Sequence, residues 1–319
     1  MAIAIMCSGG DAAGMNPAIK KFVDYVVKIG QEPYFIYDGL EGMIDGRIER
    51  ANHADVAGIV HLGGTILRSS RSKRFFDLSY RQKAYDNLKA HNINSLIVLG
   101  GDGSFRAMNQ FYADFGVSFV GIPATIDNDI NGTQYCLGVD TALNVIRDAL
   151  DKIRDTASSF NRAFLVEVMG RDCGYLALMS AVSSGAEICI IPENDFDIKT
   201  QTARLKKEMD EGRRYILAVV SEGTKRSREV FDWLQDDVGI ETRISILGHI
   251  QRGGNPTVQD RMMAFEFVIT AINHLSVNKS TGVMVGYENG TFKLIDIEEV
   301  VSKKYEIPRK LLDCLHYLD

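Results

Sequence analysis

The sequence predicts an α/β protein built on mainly parallel sheets, and three observations predict it. Short apolar runs alternate along the chain with longer amphipathic stretches. Several runs are apolar throughout, as strands are when helices cover both faces of their sheet. The turns that leave two of them are rich in glycine, which lets backbone turn tightly into a helix.

In chain order the strand-like runs are AIAIMCS (2–8), PYFIY (33–37), SLIVLGG (95–101), SFVGIP (118–123), AFLVEVMG (163–170), EICIIPE (187–193), YILAVVSEG (215–223) and TRISILG (242–248). Helix candidates lie between them. In VDTALNVIRDALDKIRD (139–155), Leu143, Ile146, Leu150 and Ile153 recur at spacings of three and four, which makes one buried face and leaves Arg147, Asp148 and Asp151 outside. No solenoid-length repeat, low-complexity tract or flexible linker interrupts the pattern, so any domain boundary falls within compact connections.

A chain of 319 residues suffices for two domains and a core without covalent staples. Hydrophobic residues at 45% and charged residues at 24% match a soluble globular mixture. No apolar run reaches the length of a bilayer span, and MAIAIMCSGG lacks the basic start of a signal peptide, so a cytoplasmic protein without a membrane partner is expected. Cys7, Cys136, Cys173, Cys189 and Cys314 form no CxxC pair, which speaks against zinc and a disulfide framework. A net charge of −6, from 36 basic and 42 acidic residues, speaks against a general nucleic-acid binder. Arginines and lysines do gather in RSSRSKR (68–74), GRR (212–214) and TKRSR (224–228), as solvated surface or as contacts to a phosphorylated small molecule.

In an open parallel sheet, ligands bind at the carboxyl ends of the strands. Two such ends carry CSGGDAAGMN (7–16) and GGDGS (100–104), each leading into a predicted helix. Glycine admits close approach of a phosphate, and a helix N-terminus offers free N–H groups; glycines are also simply what tight turns require. Neither stretch is GxxxxGK[ST] or GxGxxG. Asp102 can hold Mg²⁺ or cap a helix. A third strand end supplies ATIDNDINGT (124–133), where Asp127 and Asp129 suit metal orientation and proton transfer, or alternatively turn formation through their own backbone. Two glycine cradles, a metal carboxylate and a carboxylate for the moving proton together make the inventory of phosphoryl transfer.

SGGDAAGMN, GGDGS, PATIDNDINGT, MGRDCG and LGHIQRGGNP occur in an order and spacing that resemble the bacterial-type ATP-dependent 6-phosphofructokinase family over essentially the whole chain. The resemblance implies two similar Rossmann-like α/β domains, an ATP-binding one over 1–137 plus about 250–300 and a sugar-phosphate-binding one over 138–249 plus about 301–319. It implies a homotetramer with shared active sites that moves the ATP γ-phosphate to the 1-hydroxyl of fructose 6-phosphate with Mg²⁺. Asp127 matches the general base, Asp129 the neighbouring acid, Thr125 a contact to the transferring group, and Arg171 the cation that neutralises transition-state charge. Met169, Gly170, Glu222, His249 and Arg252 match the sugar site, with Arg162 and Arg243 reaching in from a neighbouring subunit. Gly9, Arg71, Ser72 and the stretch Gly101, Asp102, Gly103 and Ser104 match the nucleotide positions, Asp102 standing at the metal. Two rival functions remain. A pyrophosphate-dependent enzyme commonly carries Asp where Gly103 stands and Lys where Ala124 stands, and a noncatalytic regulatory subunit loses acids that Asp102, Asp127 and Asp129 retain. A possible effector site matches Lys20, Arg47, Arg154, Glu187 and Arg213, but Asp24 and Glu211 replace basic residues, so weak or altered control by ADP and phosphoenolpyruvate is expected.

Overall fold

The strands run β1 (Ala2–Cys7), β2 (Glu32–Ile36), β3 (Ile48–Arg50), β4 (Ile93–Gly100), β5 (Ser118–Pro123), β6 (Ala163–Val168), β7 (Ile188–Ile190), β8 (Ile216–Ser221), β9 (Thr242–Ile246), β10 (Gly282–Glu288) and β11 (Thr291–Asp296). The helices that position functional groups are α1 (Met15–Lys28), α2 (Gly39–Asp45), α3 (Leu78–Ala90), α4 (Asp102–Phe115), α5 (Val139–Phe160), α6 (Tyr175–Ser184), α7 (Ile198–Asp210), α8 (Ser227–Asp232) and α9 (Val258–Val277). This computed structural model describes residues 2–278 and 280–318.

The chain divides into two units. One comprises the chain through Ile126, Ile130–Thr141 and Arg252–Tyr305; the other comprises Asp127–Asp129, Ala142–Gln251 and the chain from Glu306 onward. The first holds a seven-stranded sheet in the order β11-β10-β5-β4-β1-β2-β3. Its five inner strands are parallel, and both edges, β3 and β11, are antiparallel. The second holds a four-stranded, wholly parallel sheet in the order β7-β8-β6-β9.

The fully apolar runs became central strands: β1, β5 and β8 are buried at every position. In the first unit α1 buries Ile19, Phe22, Val23 and Val26, and α9 buries Phe267, Val268, Ala271, Ile272 and Leu275. The second unit closes around Leu165, Ile190, Leu205, Val220, Trp233 and Leu234. Along α5, Ile146 and Leu150 are buried, Leu143 and Ile153 at the ends of the expected face are only half-buried, and Arg147, Asp148 and Asp151 are exposed. Three strands fall outside the apolar-run reading. β3 is too short to leave a pattern, so GGDGS follows the fourth strand, not the third. β10 and β11 form a hairpin about Asn289 and Gly290, with φ of 49° and 81°, the positive values that an Asn-Gly turn supplies readily. None of the five cysteines forms a disulfide, and four are buried.

Candidate active site

In the first unit, three strand ends are tied together by short hydrogen bonds. Ser104 Oγ donates to Ser8 Oγ at 2.9 Å, joining the turns after β4 and β1, and the Ala124 N–H donates to Gly100 O at 3.0 Å, joining the ends of β5 and β4. Ser69 Oγ donates to Gly9 O at 2.6 Å and so draws the basic loop onto the β1 turn. Sequence reasoning passed over Ser8 and Ser69, because a serine in a glycine turn or within a basic run carries no signal of its own. The helices that follow, α1 and α4, have Gly14 and Gly101 as N-caps without a side-chain cap; the Met15 and Ser104 N–H groups turn back to Ala12 O and Gly101 O, and the amides of Asn16, Asp102 and Gly103 face the helix starts where an anion can bind.

Around these turns, Gly9 holds φ 91°, a Cβ on Gly103 would meet nothing within 4 Å, and Thr125 is half-buried beside Gly101. Asp102 stands in the first turn of α4 and accepts from Arg106 Nε at 2.8 Å. Of the basic loop, Arg68 grips Asp38 through two bonds of 2.6 and 2.8 Å, and Arg74 pairs with Glu41 and Asp45. The Arg68 bond holds Asp38 below the usual carboxylate range. Arg71 is exposed and, among the described residues, makes no hydrogen bond or ion pair, while Ser72 Oγ accepts from the Phe75 N–H at 3.1 Å. Arg252 also belongs to this unit and donates to Asp11 O at 3.1 Å.

The second unit gathers the remaining groups. Asp127 is fully buried, and Arg171 Nε lies 3.3 Å from its Oδ2. Asn128 and Arg171 both hold φ of 52°, uncommon for residues with a side chain and a form of backbone strain kept where position matters. The Arg171 N–H donates to Glu222 Oε1 at 3.0 Å. Gly223 decides that loop: a Cβ there would stand 1.8 Å from Arg171 O, so only glycine fits. A Cβ on Gly170, at φ 137°, would stand 2.4 Å from Cys173 O. The buried Met169 donates its N–H to Gln251 Oε1 at 3.1 Å, and Gln251 Nε2 donates to Gly248 O at 2.9 Å, which sets the turn that carries the exposed His249. Asp129 is half-buried.

Arg162 and Arg243 are brought side by side because β6 and β9 pair in parallel, Ala163 opposite Thr242. Both bind Glu241: Arg162 Nε donates to Oε2 at 2.8 Å, and Arg243 Nη2 donates to Oε1. The Arg162 bond lowers the Glu241 carboxyl. Glu241 and Gly223 went unnoticed in the sequence, since each matters only through a partner brought near by folding. Burial pushes the thiols of Cys7 and Cys173, beside the two regions, up to about 12, which excludes both as nucleophiles at neutral pH.

The expected effector residues are already paired. Lys20 Nζ lies 2.9 Å from Asp24, which also meets His53 Nδ1 at 3.0 Å, and Arg47 lies 3.2 Å from both Asp38 and Asp45. In the other unit Arg213 bonds Glu187 and Glu208 at 2.6 Å each, Arg154 donates to Ser184 O, and Glu211 lies 3.7 Å from Lys207.

The model of the phosphofructokinase family matches residues 2–275. The chain belongs to the phosphofructokinase family. It is 58% identical over 309 residues to the ATP-dependent 6-phosphofructokinase of Wolinella succinogenes, covering 97% of this chain and 96% of that one. To the ATP-dependent 6-phosphofructokinase of Sulfurimonas denitrificans it is 56% identical over 314 residues, covering 98% of each. Among solved structures, the phosphofructokinase of Saccharomyces cerevisiae superposes with a TM-score of 0.89 at 32% identity, covering 94% of this chain; the chain spans 45% of the yeast chain's length. The pyrophosphate-dependent phosphofructokinase of Marinobacter aquaeolei has the same fold, with a TM-score of 0.85 at 18% identity over 99% of this chain and 91% of that one. No helix among the described residues is long and apolar enough to cross a membrane.

Proposed function

We infer that the chain is an ATP-dependent 6-phosphofructokinase, which transfers the γ-phosphoryl group of ATP to the 1-hydroxyl of fructose 6-phosphate and yields ADP and fructose 1,6-bisphosphate. The observation that carries the residue roles is the buried Asp127 carboxylate beside the Arg171 guanidinium, 3.3 Å away. In this reading Asp127 accepts the hydroxyl proton as the new P–O bond forms and the bond to ADP breaks. Arg171 then faces the charge of the transferring group, and Thr125, two residues before Asp127, contacts it. Amides at Gly9–Gly14 and Gly101–Gly103, with the side chains of Ser104, Ser72 and the exposed Arg71, bind the nucleotide phosphates. Gly103 leaves room for them, which favours ATP over pyrophosphate.

Among the described residues no group of three or more His, Cys, Asp or Glu forms a metal cage. Mg²⁺ commonly takes one or two carboxylates plus substrate phosphates, and the half-exposed Asp102 fits that use once Arg106 releases it. Bound there, the ion would neutralise phosphate charge. Met169, Gly170, Glu222, His249 and Arg252 hold the sugar phosphate, with Asp129 ordering the acceptor. Arg162 and Arg243 complete the site of a neighbouring copy in a cytoplasmic homotetramer, a reading supported by the exposed Ile244 and Ile246 on the edge strand β9.

Effector control is weak. Lys20 is neutralised by Asp24, and Arg213 by Glu187 and Glu208, so little free positive charge faces a polyanion. Initial rates at subsaturating fructose 6-phosphate change less than about twofold on adding ADP or phosphoenolpyruvate. Strong effects of both, abolished by Arg154→Ala, would reverse this reading. Purified protein with ATP, Mg²⁺ and fructose 6-phosphate tests the function itself: ADP forms, and chelating the metal stops it. Turnover only with pyrophosphate, or none with either donor, would overturn it.

A further inference from the structure

Asp260, in the first turn of α9, is fully buried, yet nothing above gives it a role. It accepts from Tyr135 Oη at 2.7 Å, from the Gly138 N–H at 2.7 Å, from the Thr141 N–H at 2.8 Å and from Thr141 Oγ1 at 2.5 Å. Four donors match the lone-pair sites of an ionised carboxylate. The exchange is reciprocal. Thr257, the N-cap of α9, accepts from the Asp260 N–H at 3.2 Å, donates its hydroxyl to Asp140 Oδ2 at 2.5 Å, and donates its own N–H to Thr141 Oγ1 at 3.1 Å. The starts of α5 and α9 thus cap one another, satisfying amides that have no acceptor within their own helices.

The turn between β1 and α1 rests on this junction. A Cβ on Gly138 would stand 2.7 Å from Ala12 Cβ and 3.2 Å from Ala13 N. One on Gly14 would stand 3.5 Å from Leu137 Cβ and 3.6 Å from Asp260 O. The backbone of Ala12–Gly14 therefore lies directly against Gly138 and Asp260. From the residues leading into α9, Arg252 holds the same turn at Asp11 O.

We propose that Asp260 is a positioning residue for the nucleotide: by locking the starts of α5 and α9 together, it fixes the β1–α1 turn in the one geometry that presents its N–H groups to phosphate. This rests on the reading of Gly9–Gly14 as a phosphate cradle. Fixed donors bind an anion without reorganising, whereas a loosened turn must first be ordered.

The test is calorimetric titration of ADP with Mg²⁺, and separately of fructose 6-phosphate, into the full chain and its variants. Asp260→Asn sets an amide against the donors, Thr141→Val removes one hydroxyl at nearly constant shape, and Thr141→Ser keeps that hydroxyl. The Kd for ADP rises about tenfold in Asp260→Asn and about threefold or more in Thr141→Val, while Thr141→Ser stays within about twofold of wild type, and fructose 6-phosphate affinity is unchanged in all. Wild-type affinity for ADP in Thr141→Val, loss in Thr141→Ser equal to that in Thr141→Val, or equal losses for both ligands would overturn the proposal. Should Asp260→Asn fail to fold, the Thr141 pair decides alone. A wild-type chain that binds ADP but does not turn over overturns the proposed function and leaves this comparison standing; one that binds no ADP overturns both.

Discussion

Asp127 and Asp260 are equally withdrawn from solvent, and their surroundings set the acid proposed to react apart from the acid proposed to position. Asp127 lies beside Arg171, a side chain 52% exposed on backbone at φ 52°. Asp260 collects donors from the start of α5, where helix amides would otherwise lack acceptors. At Asp260, burial pushes the carboxyl up and the hydrogen bonds pull it only partly back. Burial alone therefore does not mark a functional acid. Strained neighbours and an open cation point to chemistry, while satisfied amides point to architecture.

The contrast can be tested from its strongest consequence downward. Replacing Asp127 with Ala lowers kcat by about 10²–10⁴-fold while leaving ATP and fructose 6-phosphate affinity nearly intact, as steady-state kinetics and calorimetry will read. Wild-type kcat in this variant would take Asp127 out of the chemistry. Gly223→Ala drives a Cβ into Arg171 O, and the displaced guanidinium lowers kcat by about 10²-fold, with no gain from raising substrate. Wild-type kcat in that variant would show that Arg171 need not be held. Asp260→Ala reverses the balance: buried donors lose their acceptor, and urea unfolding shows a loss of at least about 3 kcal/mol. Glu241→Gln has the smallest effect. The exposed carboxylate adds little to stability, but Arg162 and Arg243 lose their common anchor, so KM for fructose 6-phosphate changes by about two- to fivefold with kcat held. An altered kcat at constant KM would remove the two arginines from substrate binding.

The features legible in the sequence are those whose physical cause is local. An apolar run codes for a strand covered on both faces, a spacing of three and four for one helical face, and a glycine turn ahead of a helix for a site of free amides. β1, β5, β8 and α5 needed nothing more. β10 and β11 carried a local code as well, in Asn289-Gly290, but β11 is an edge strand without a continuous apolar run. What the tertiary structure decided lies in contacts between distant stretches. Asp260 meets Gly138 across 122 residues of chain, and Arg162 meets Glu241 across 79. Gly223 matters because Arg171 O arrives beside it. No pattern within a few turns of chain encodes such meetings, because they depend on which strands are neighbours and on the register in which they pair. Sheet order and packing set those, and they are properties of the folded chain as a whole.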